Sequence, residues 1–120
     1  VTLIHPTAYV AQDVEIGAGT VVMAGAVIQP ETQVGKGVIV NTGATIDHEC
    51  RISDYTHISV GANLAGNVSV REGSWVGIGA KIIQGKTICG NVMIGAGAVV
   101  IDDIDDEGTY VGVPARMIKA

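Results

Sequence analysis

An aliphatic side chain recurs at every sixth residue of this chain, seventeen times from Ile4 to Val100 without an insertion. The series is Ile4, Val10, Ile16, Val22, Ile28, Val34, Val40, Ile46, Ile52, Ile58, Leu64, Val70, Val76, Ile82, Ile88, Ile94 and Val100. An α-helix would place apolar residues three and four apart, and an amphipathic strand would alternate, so a period of six fits neither. A fixed short period instead indicates a repeat architecture, in which each unit stacks on the next.

The remaining hexad positions predict short strands joined by corners. If the aliphatic residue is position one, position five is usually small or β-branched, and position four is usually Gly, Asn or Asp, with Glu49 among the exceptions. Gly, Asn and Asp tolerate the left-handed conformation that a tight corner needs. Positions one and five would face inward, three hexads would close a triangular coil, and successive coils would stack about 4.8 Å apart. We therefore predict a single all-β domain, a parallel β-helix of five to six coils over residues 1–105, with a short C-terminal tail over residues 106–120.

Composition agrees with a narrow prism and excludes several classes of partner. Hydrophobic residues make up 48% of the 120-residue chain, yet Phe is absent and Trp occurs once, as expected where Ile and Val stack in columns. The net charge of −5 and the lack of a basic stripe argue against nucleic acid. No apolar run is long enough to span a membrane and no signal peptide is recognisable, so we expect a soluble, cytoplasmic protein. We expect structural roles for Cys50 and Cys89, without a disulfide.

The histidines are the candidates for chemistry, and His48 is the strongest of the three. His5 belongs to the first coil, at the edge of the prism, where a structural role is expected. His48 stands at position three of its hexad, facing outward, between Asp47 and Glu49. A neighbouring carboxylate makes an imidazole more basic and selects its tautomer, as a general base requires. The alternative is an exposed polar corner without a role.

Three segments resemble a known family. They are TIDHEC at residues 45–50, YTHIS at 55–59 and GTYVGVPAR at 108–116, and with them the resemblance spans essentially the whole chain. All three are similar to segments of hexapeptide-repeat, left-handed β-helix acetyltransferases, namely the bacterial sialic acid O-acetyltransferases and UDP-4-amino-sugar N-acetyltransferases. The resemblance implies a left-handed coil, acetyl-CoA as co-substrate, no metal, and direct acetyl transfer to an amine or hydroxyl of a bacterial sugar or sugar nucleotide. Separately from the resemblance, the lateral faces and open ends of such a prism usually need covering, so we expect a homo-oligomer. The spacing of two of the histidines favours a homotrimer with its sites at subunit interfaces.

The same resemblance implies roles for individual residues. His48 would be the general base, Glu49 would raise its basicity, and His57 would hydrogen-bond acetyl-CoA near its thioester. The C-terminal tail would pack near the CoA site. The remaining implied contacts to acetyl-CoA are Gly66, close to the reacting end, Ile78 and Ala96. A backbone N–H near Gly66 is our candidate donor for the oxyanion that forms during transfer.

Spacing gives independent support for part of this site. Gly66 follows His48 by one coil length and should therefore stack beside it. Ile78 and Ala96 are also one coil apart and should stack in a neighbouring column. The alternative for all three residues is ordinary packing of the coils, which gives the same spacings. His48 and His57 are half a coil apart and should lie on opposite sides of one prism. They can converge only if two subunits of a threefold trimer each supply one of them.

Other functions remain open from the sequence. A zinc-dependent carbonic anhydrase on this scaffold would need three converging imidazoles, and His5 lies more than two coils from His48. A non-catalytic trimerising module of a longer protein, or an O-acetyltransferase of serine or another small molecule, would share the repeat. We also expect the chain to be a fragment of something longer, since it begins with Val1 and the repeat starts almost at once. The family that it resembles usually carries an N-terminal α/β domain that binds the sugar nucleotide, and the given sequence does not include one. Neither the acceptor nor the choice between O- and N-acetylation follows from the residues.

Overall fold

The computed structural model describes residues 1–120, which form nineteen strands and no helix. The chain therefore has no helix that is long and apolar enough to cross a membrane. The strands are β1 Leu3–Ile4, β2 Tyr9–Val10, β3 Glu15–Ile16, β4 Val21–Val22, β5 Val27–Ile28, β6 Gln33–Val34, β7 Ile39–Val40, β8 Thr45–Ile46, β9 Arg51–Ile52, β10 His57–Ile58, β11 Asn63–Leu64, β12 Ser69–Val70, β13 Trp75–Val76, β14 Lys81–Ile82, β15 Thr87–Ile88, β16 Val92–Ile94, β17 Val99–Val100, β18 Gly108–Val111 and β19 Arg116–Lys119.

Three sheets form the sides of the prism, and from β1 to β17 each strand pairs with the strand three places along the chain. The first sheet has the order β1-β4-β7-β10-β13-β16-β18-β19, the second β17-β14-β11-β8-β5-β2 and the third β15-β12-β9-β6-β3. Pairing is parallel from β1 to β18, and His57 of β10 lies between Ile39 of β7 and Trp75 of β13. Each step of this register is 18 residues, so the predicted coil length and the five to six coils are observed.

Inward-facing residues of the hexads fill the interior. One cluster of 24 buried hydrophobic residues runs through the coils, with Ile28, Ile46 and Ile58 fully buried. Where position five is polar, its hydroxyl donates to a backbone carbonyl: Thr20 Oγ1 bonds the Gly35 oxygen at 2.7 Å, and Ser74 Oγ bonds the Cys89 oxygen at 2.7 Å. Every buried polar side-chain atom has a hydrogen-bond partner, so the narrow core carries no unpaired polar group.

Left-handed backbone conformations mark the corners. The φ angles of Asn67 and Asn91 are both 58°, and that of Glu49 is 59°, so Glu49 does take a corner position that Gly usually holds. Asp13 and Asp103 differ from the prediction, because neither has a left-handed φ. Their carboxylates accept backbone N–H groups instead, from Glu31 at 3.1 Å and from Thr87 at 2.8 Å. At these two corners a side-chain hydrogen bond takes the place of the left-handed backbone conformation.

The regular coil ends after β17. Ile104 pairs with Ile88 at a separation of 16 residues, two fewer than the regular repeat. β18 then adds to the first sheet beside β16, and β19 turns back antiparallel to β18. The tail thus continues one sheet of the prism and closes its C-terminal end with a hairpin.

Candidate active site

His48 and Glu49 form a hydrogen-bonded pair at the corner between the second and third sheets. Nδ1 of His48 lies 3.0 Å from Oε1 of Glu49, and both side chains are 57% exposed. The left-handed φ of 59° at Glu49 turns the chain at this corner. Asp47 shapes the same corner, since its Oδ1 accepts the His48 backbone N–H at 2.7 Å. A carboxylate on Nδ1 favours the tautomer with its proton there, which leaves Nε2 with a free lone pair.

The other ring nitrogen of His48 lies against Gly66, one coil further along. A Cβ built on Gly66 would come within 2.7 Å of Nε2 and 2.8 Å of Cε1 of His48. Only a residue without a side chain leaves the imidazole in this position. Next to the ring is an open cleft of about 210 Å³, which is lined by His48, Gly66, Asn67, Gln84 and Gly85. The atom with the free lone pair therefore borders a space that a substrate can enter.

His57 lies on the outer face of the first sheet, in β10. Its Nε2 is 3.2 Å from Nδ2 of Asn41, and its ring centroid is 4.4 Å from that of Trp75, with 46° between the planes. Burial lowers the pKa of His57 below its ordinary value of 6.5. The imidazole is thus half-buried, packed against an aromatic ring, and favoured in its neutral form.

Within one chain the two histidines do not share a pocket. His48 belongs to the corner between the second and third sheets, whereas His57 is in the first sheet, on the side of the triangle opposite that corner. The prism is about 20 Å across, so neither ring reaches the other. This is the arrangement that the half-coil spacing predicted.

Ile78 and Ala96 stack at a third place, the corner between the first and second sheets. The Gly97 N–H donates to the Ile78 carbonyl at 2.8 Å, which joins the two coils there. The Ile78 side chain is 59% exposed and Ala96 is exposed as well. Gly66 lies apart from this pair, beside His48. The four residues implied to contact acetyl-CoA therefore occupy two corners and one face of the chain.

One face of the prism is apolar on its outside. The outward residues of the first sheet form a column in which His57 is flanked by hydrophobic side chains, and we call this column the apolar stripe: Leu3, Val21, Ile39, His57, Trp75 and Met93. The outward residues of the third sheet are polar instead: Glu15, Gln33, Arg51, Ser69 and Thr87. Contiguous exposed apolar surface on one face indicates a contact with another protein surface.

Cys50 and His5 both make local contacts that give them structural roles. The Cys50 side chain points into the core and its Sγ donates to the Ala65 carbonyl at 3.2 Å, while burial raises its pKa to about 11. His5 accepts the Thr7 N–H at 3.1 Å through Nδ1 and so shapes the first corner. No group of three or more His, Cys, Asp or Glu side chains is placed to hold a metal ion.

Two residues beside His57 had no role in the sequence-based prediction. Trp75 follows His57 by one coil length and Asn41 precedes it by 16 residues. The register alone could have identified Trp75, since every residue one coil away is a neighbour in the stack. Asn41 reaches His57 from the corner after β7, and only side-chain coordinates reveal that contact.

Three solved structures are closely similar to the chain. The acetyltransferase domain of PglB from Neisseria gonorrhoeae is 47% identical over 98% of this chain, with a TM-score of 0.97, and has also been solved with acetyl coenzyme A. PerB from Caulobacter crescentus, solved with CoA and GDP-perosamine, is 43% identical over 98% of this chain, with a TM-score of 0.96. WeeI from Acinetobacter baumannii is 30% identical over 98%, with a TM-score of 0.85.

The chain covers 58% of the PglB domain structure, 56% of PerB and 55% of WeeI, so it spans little more than half of each. No protein-family model matches it, and neither does any curated protein. A β-helix of the opposite hand would not superpose with a TM-score of 0.97. The left-handed parallel β-helix predicted from the resemblance is thereby confirmed.

Proposed function

The chain belongs to the hexapeptide-repeat family of sugar acetyltransferases, and from this premise we propose that it moves the acetyl group of acetyl-CoA onto the amino group of a sugar nucleotide. Acetyl-CoA as donor is supported by the complex of the PglB domain with that molecule. An amine as acceptor is supported by the Caulobacter crescentus perosamine N-acetyltransferase, whose complexes hold CoA and GDP-perosamine. A sialic acid hydroxyl is the less favoured acceptor.

The His48–Glu49 pair is the observation that carries this proposal. Glu49 accepts from Nδ1 of His48, and Nε2 faces the cleft beside Gly66. A base with a fixed tautomer and an accessible lone pair takes a proton from an amine as the amine attacks. His48 is therefore the proposed general base and Glu49 the residue that orients it.

The proposed reaction is a direct transfer without an acyl-enzyme. The acceptor nitrogen forms a bond to the thioester carbonyl carbon, and Nε2 of His48 takes the proton that the nitrogen loses. The resulting tetrahedral oxyanion collapses, the carbon–sulfur bond breaks, and the proton on His48 passes to the leaving CoA sulfur. A hydrogen-bond donor at the carbonyl oxygen would stabilise the oxyanion. A backbone N–H near Gly66 is one proposed donor, and His57, the proposed contact near the thioester, is a second.

A homotrimer would bring these groups together. His48 and His57 lie on separate sides of one prism, and the apolar stripe around His57 is exposed in a single chain. If that stripe packs near the His48 corner of a neighbouring subunit, three equivalent sites form by threefold symmetry. The apolar stripe thus supports both the assembly and the shared site.

Ile78 and Ala96 are the proposed contacts for the pantetheine arm. They stack one above the other at an exposed corner, where successive coils offer backbone groups along a line. The C-terminal tail, with Arg116 exposed at the start of β19, is proposed to lie near the phosphate-bearing end of CoA. A cytoplasmic location also remains a prediction, in keeping with the proposed use of acetyl-CoA.

The test is an acetylation assay on the purified chain with acetyl-CoA and a panel of 4-amino-sugar nucleotides, followed by CoA release and by product mass. We expect an increase of one acetyl group on an amino sugar, and no product from the matching 4-hydroxy sugar nucleotide. The His48→Asn variant should lose about 10² to 10⁴-fold in kcat. Acetyl-CoA binding by calorimetry separates two failures: binding without transfer would contradict the choice of acceptor, and no binding by a trimer would contradict the proposed function.

A further inference from the structure

The hydrogen bonds of Asn41 fix which end of its side-chain amide faces His57. Its Oδ1 accepts the Thr42 backbone N–H at 2.7 Å, and its Nδ2 lies 3.2 Å from Nε2 of His57. Turning the amide over would place its NH₂ group against the Thr42 N–H, two donors facing each other. The oxygen therefore stays with Thr42, and the NH₂ group faces the imidazole.

An NH₂ group can only donate, so Nε2 of His57 must accept. The proton of the neutral ring is then on Nδ1, and no hydrogen bond within the chain uses that nitrogen. Isolated neutral histidine prefers the opposite tautomer, with its proton on Nε2. Asn41 thus reverses the ordinary preference and leaves a free donor on a half-buried ring.

The surroundings of the ring oppose its protonation. The Trp75 ring, in the next coil, lies against it at a tilt of 46°, and Ile39 is its neighbour in the coil before. Neither residue carries a charge, nor does Asn41, and burial is the one cause that lowers the pKa of His57. A protonated ring would also place an Nε2–H donor against the Asn41 NH₂ group. Both the charge and the alternative tautomer are therefore disfavoured.

We propose that Asn41 and Trp75 are positioning residues that hold His57 neutral, with its proton on Nδ1, so that Nδ1–H is a preset hydrogen-bond donor. The inference rests on the proposed function in one respect: the acceptor for that donor would be the thioester carbonyl oxygen of acetyl-CoA, and then the oxyanion that replaces it. A donor whose proton is already in place needs no rearrangement when charge develops on the oxygen. Its neutral form also persists at the pH values at which His48 must be unprotonated to act as a base.

The experiment is a two-bond ¹H–¹⁵N correlation spectrum of the histidine rings in ¹⁵N-labelled protein at pH 8 without ligand. The His57 signals are assigned by their loss in His57→Gln. We expect Nδ1 of His57 to show the shift of a protonated ring nitrogen and Nε2 that of an unprotonated one. A wild-type His57 ring with its proton on Nε2 would overturn the proposal. This first measurement uses the wild-type protein and does not depend on a variant at Asn41.

Asn41→Asp provides the second arm. A carboxylate in place of the NH₂ group accepts a hydrogen bond, so the His57 proton should move to Nε2 and the ring should titrate at higher pH. The matched control is Asn91→Asp, at an exposed left-handed corner, which should leave the His57 signals unchanged. In the acetylation assay, we expect Asn41→Asp to lower kcat by about 10²-fold, the usual effect of a lost oxyanion donor. Unchanged His57 signals in Asn41→Asp would refute the role of Asn41.

Titration with acetyl-CoA separates this inference from the proposed function. If the His57 tautomer is as expected and acetyl-CoA shifts the Nδ1 signals, both stand. If the tautomer is as expected but acetyl-CoA does not bind, Asn41 positions His57 and the proposed function fails. For Trp75, we expect Trp75→Leu to raise the pKa of His57 toward its ordinary value, and an unchanged titration would refute the part assigned to that ring.

Discussion

Nε2 of His48 occupies the space that the side chain of residue 66 would fill. The two residues belong to successive coils, and a Cβ on Gly66 would lie 2.7 Å from that nitrogen. Contacts between real side chains do not become this short, so the position of the imidazole depends on the absence of a side chain one coil away.

Gly66→Ala should displace His48 and leave the fold intact. Gly66 does not have a left-handed φ, so its backbone accepts alanine, and the three atoms that its Cβ would approach most closely all belong to the exposed imidazole of His48. A displacement of about 1 Å can cost about 10²-fold in rate. We expect that loss in kcat, with little change in melting temperature. Full activity in Gly66→Ala would refute the role of this contact.

Glu49→Gln tests the carboxylate beside the base. Glu31 offers a close control, since it is exposed, sits at the corresponding corner one coil earlier and has a φ of 63° against 59° for Glu49. Both substitutions remove one charge at a left-handed corner, but only Glu49 contacts His48. We expect Glu49→Gln to lower kcat by about 10-fold or more, within the range for general base catalysis, and Glu31→Gln to be near wild type. Equal losses in both variants would show an effect of overall charge instead.

His57 should make stability depend on pH. Its pKa is lower in the folded chain than its ordinary 6.5, so near and below that pH the unfolded chain binds more protons than the folded one. Stability therefore falls as the pH is lowered from neutral through about 6.5. Melting temperatures between pH 8 and pH 5 should fall more steeply for wild type than for His57→Gln. Parallel curves would contradict the lowered pKa.

Cys50 should resist thiol reagents in the folded protein. Its side chain is fully buried, and at pH 8 a thiol with a pKa of about 11 is ionised to about one part in a thousand. In a Cys89→Ala variant, which leaves Cys50 as the one thiol, intact mass should show no iodoacetamide adduct in buffer and one adduct in denaturant. Rapid labelling in buffer would mean that the coil opens at this position.

Ile39→Lys tests the apolar stripe as an interface. Ile39 is 39% exposed on the outside of the first sheet, next to His57 in the stack. Burying a lysine between subunits is costly, so we expect light scattering to give three times the chain mass of 12.3 kDa for wild type and a smaller mass for the variant. Gln33→Lys, on the polar outer face of the third sheet, should remain like wild type. A trimeric Ile39→Lys would place the interface elsewhere.

The sequence specifies the fold almost completely because three hexads of the repeat correspond to one coil of the prism. Each aliphatic residue stacks on the equivalent residue of the next coil, as Ile46 does on Leu64, and both side chains are buried. The period of six therefore determines which side chains face inward and which strands pair. The same arithmetic placed Gly66 beside His48 and separated His48 from His57. Handedness was different, since no residue pattern encodes it, and it rested on the family resemblance.

Departures from the repeat were harder to predict because side chains determine them. Asp13 and Asp103 occupy corner positions but bond backbone N–H groups in place of turning left-handed. Asn41 reaches His57 across an offset of 16 residues, which the regular repeat does not produce. The tail likewise leaves the 18-residue register at Ile104. Where the period fails, only the coordinates show which groups meet.

The uniform coil length has a consequence for how such a chain can change. Inserting one residue into a strand would rotate every later inward side chain out of its column, so length changes are tolerated at corners or as whole coils. Each position also has only two close neighbours along the axis, one coil before and one coil after. Compensating substitutions should therefore occur along the prism axis, between residues 18 apart in the sequence. A larger residue at 66 would be accommodated by a smaller one at 48 or 84, and not by a change elsewhere in the chain.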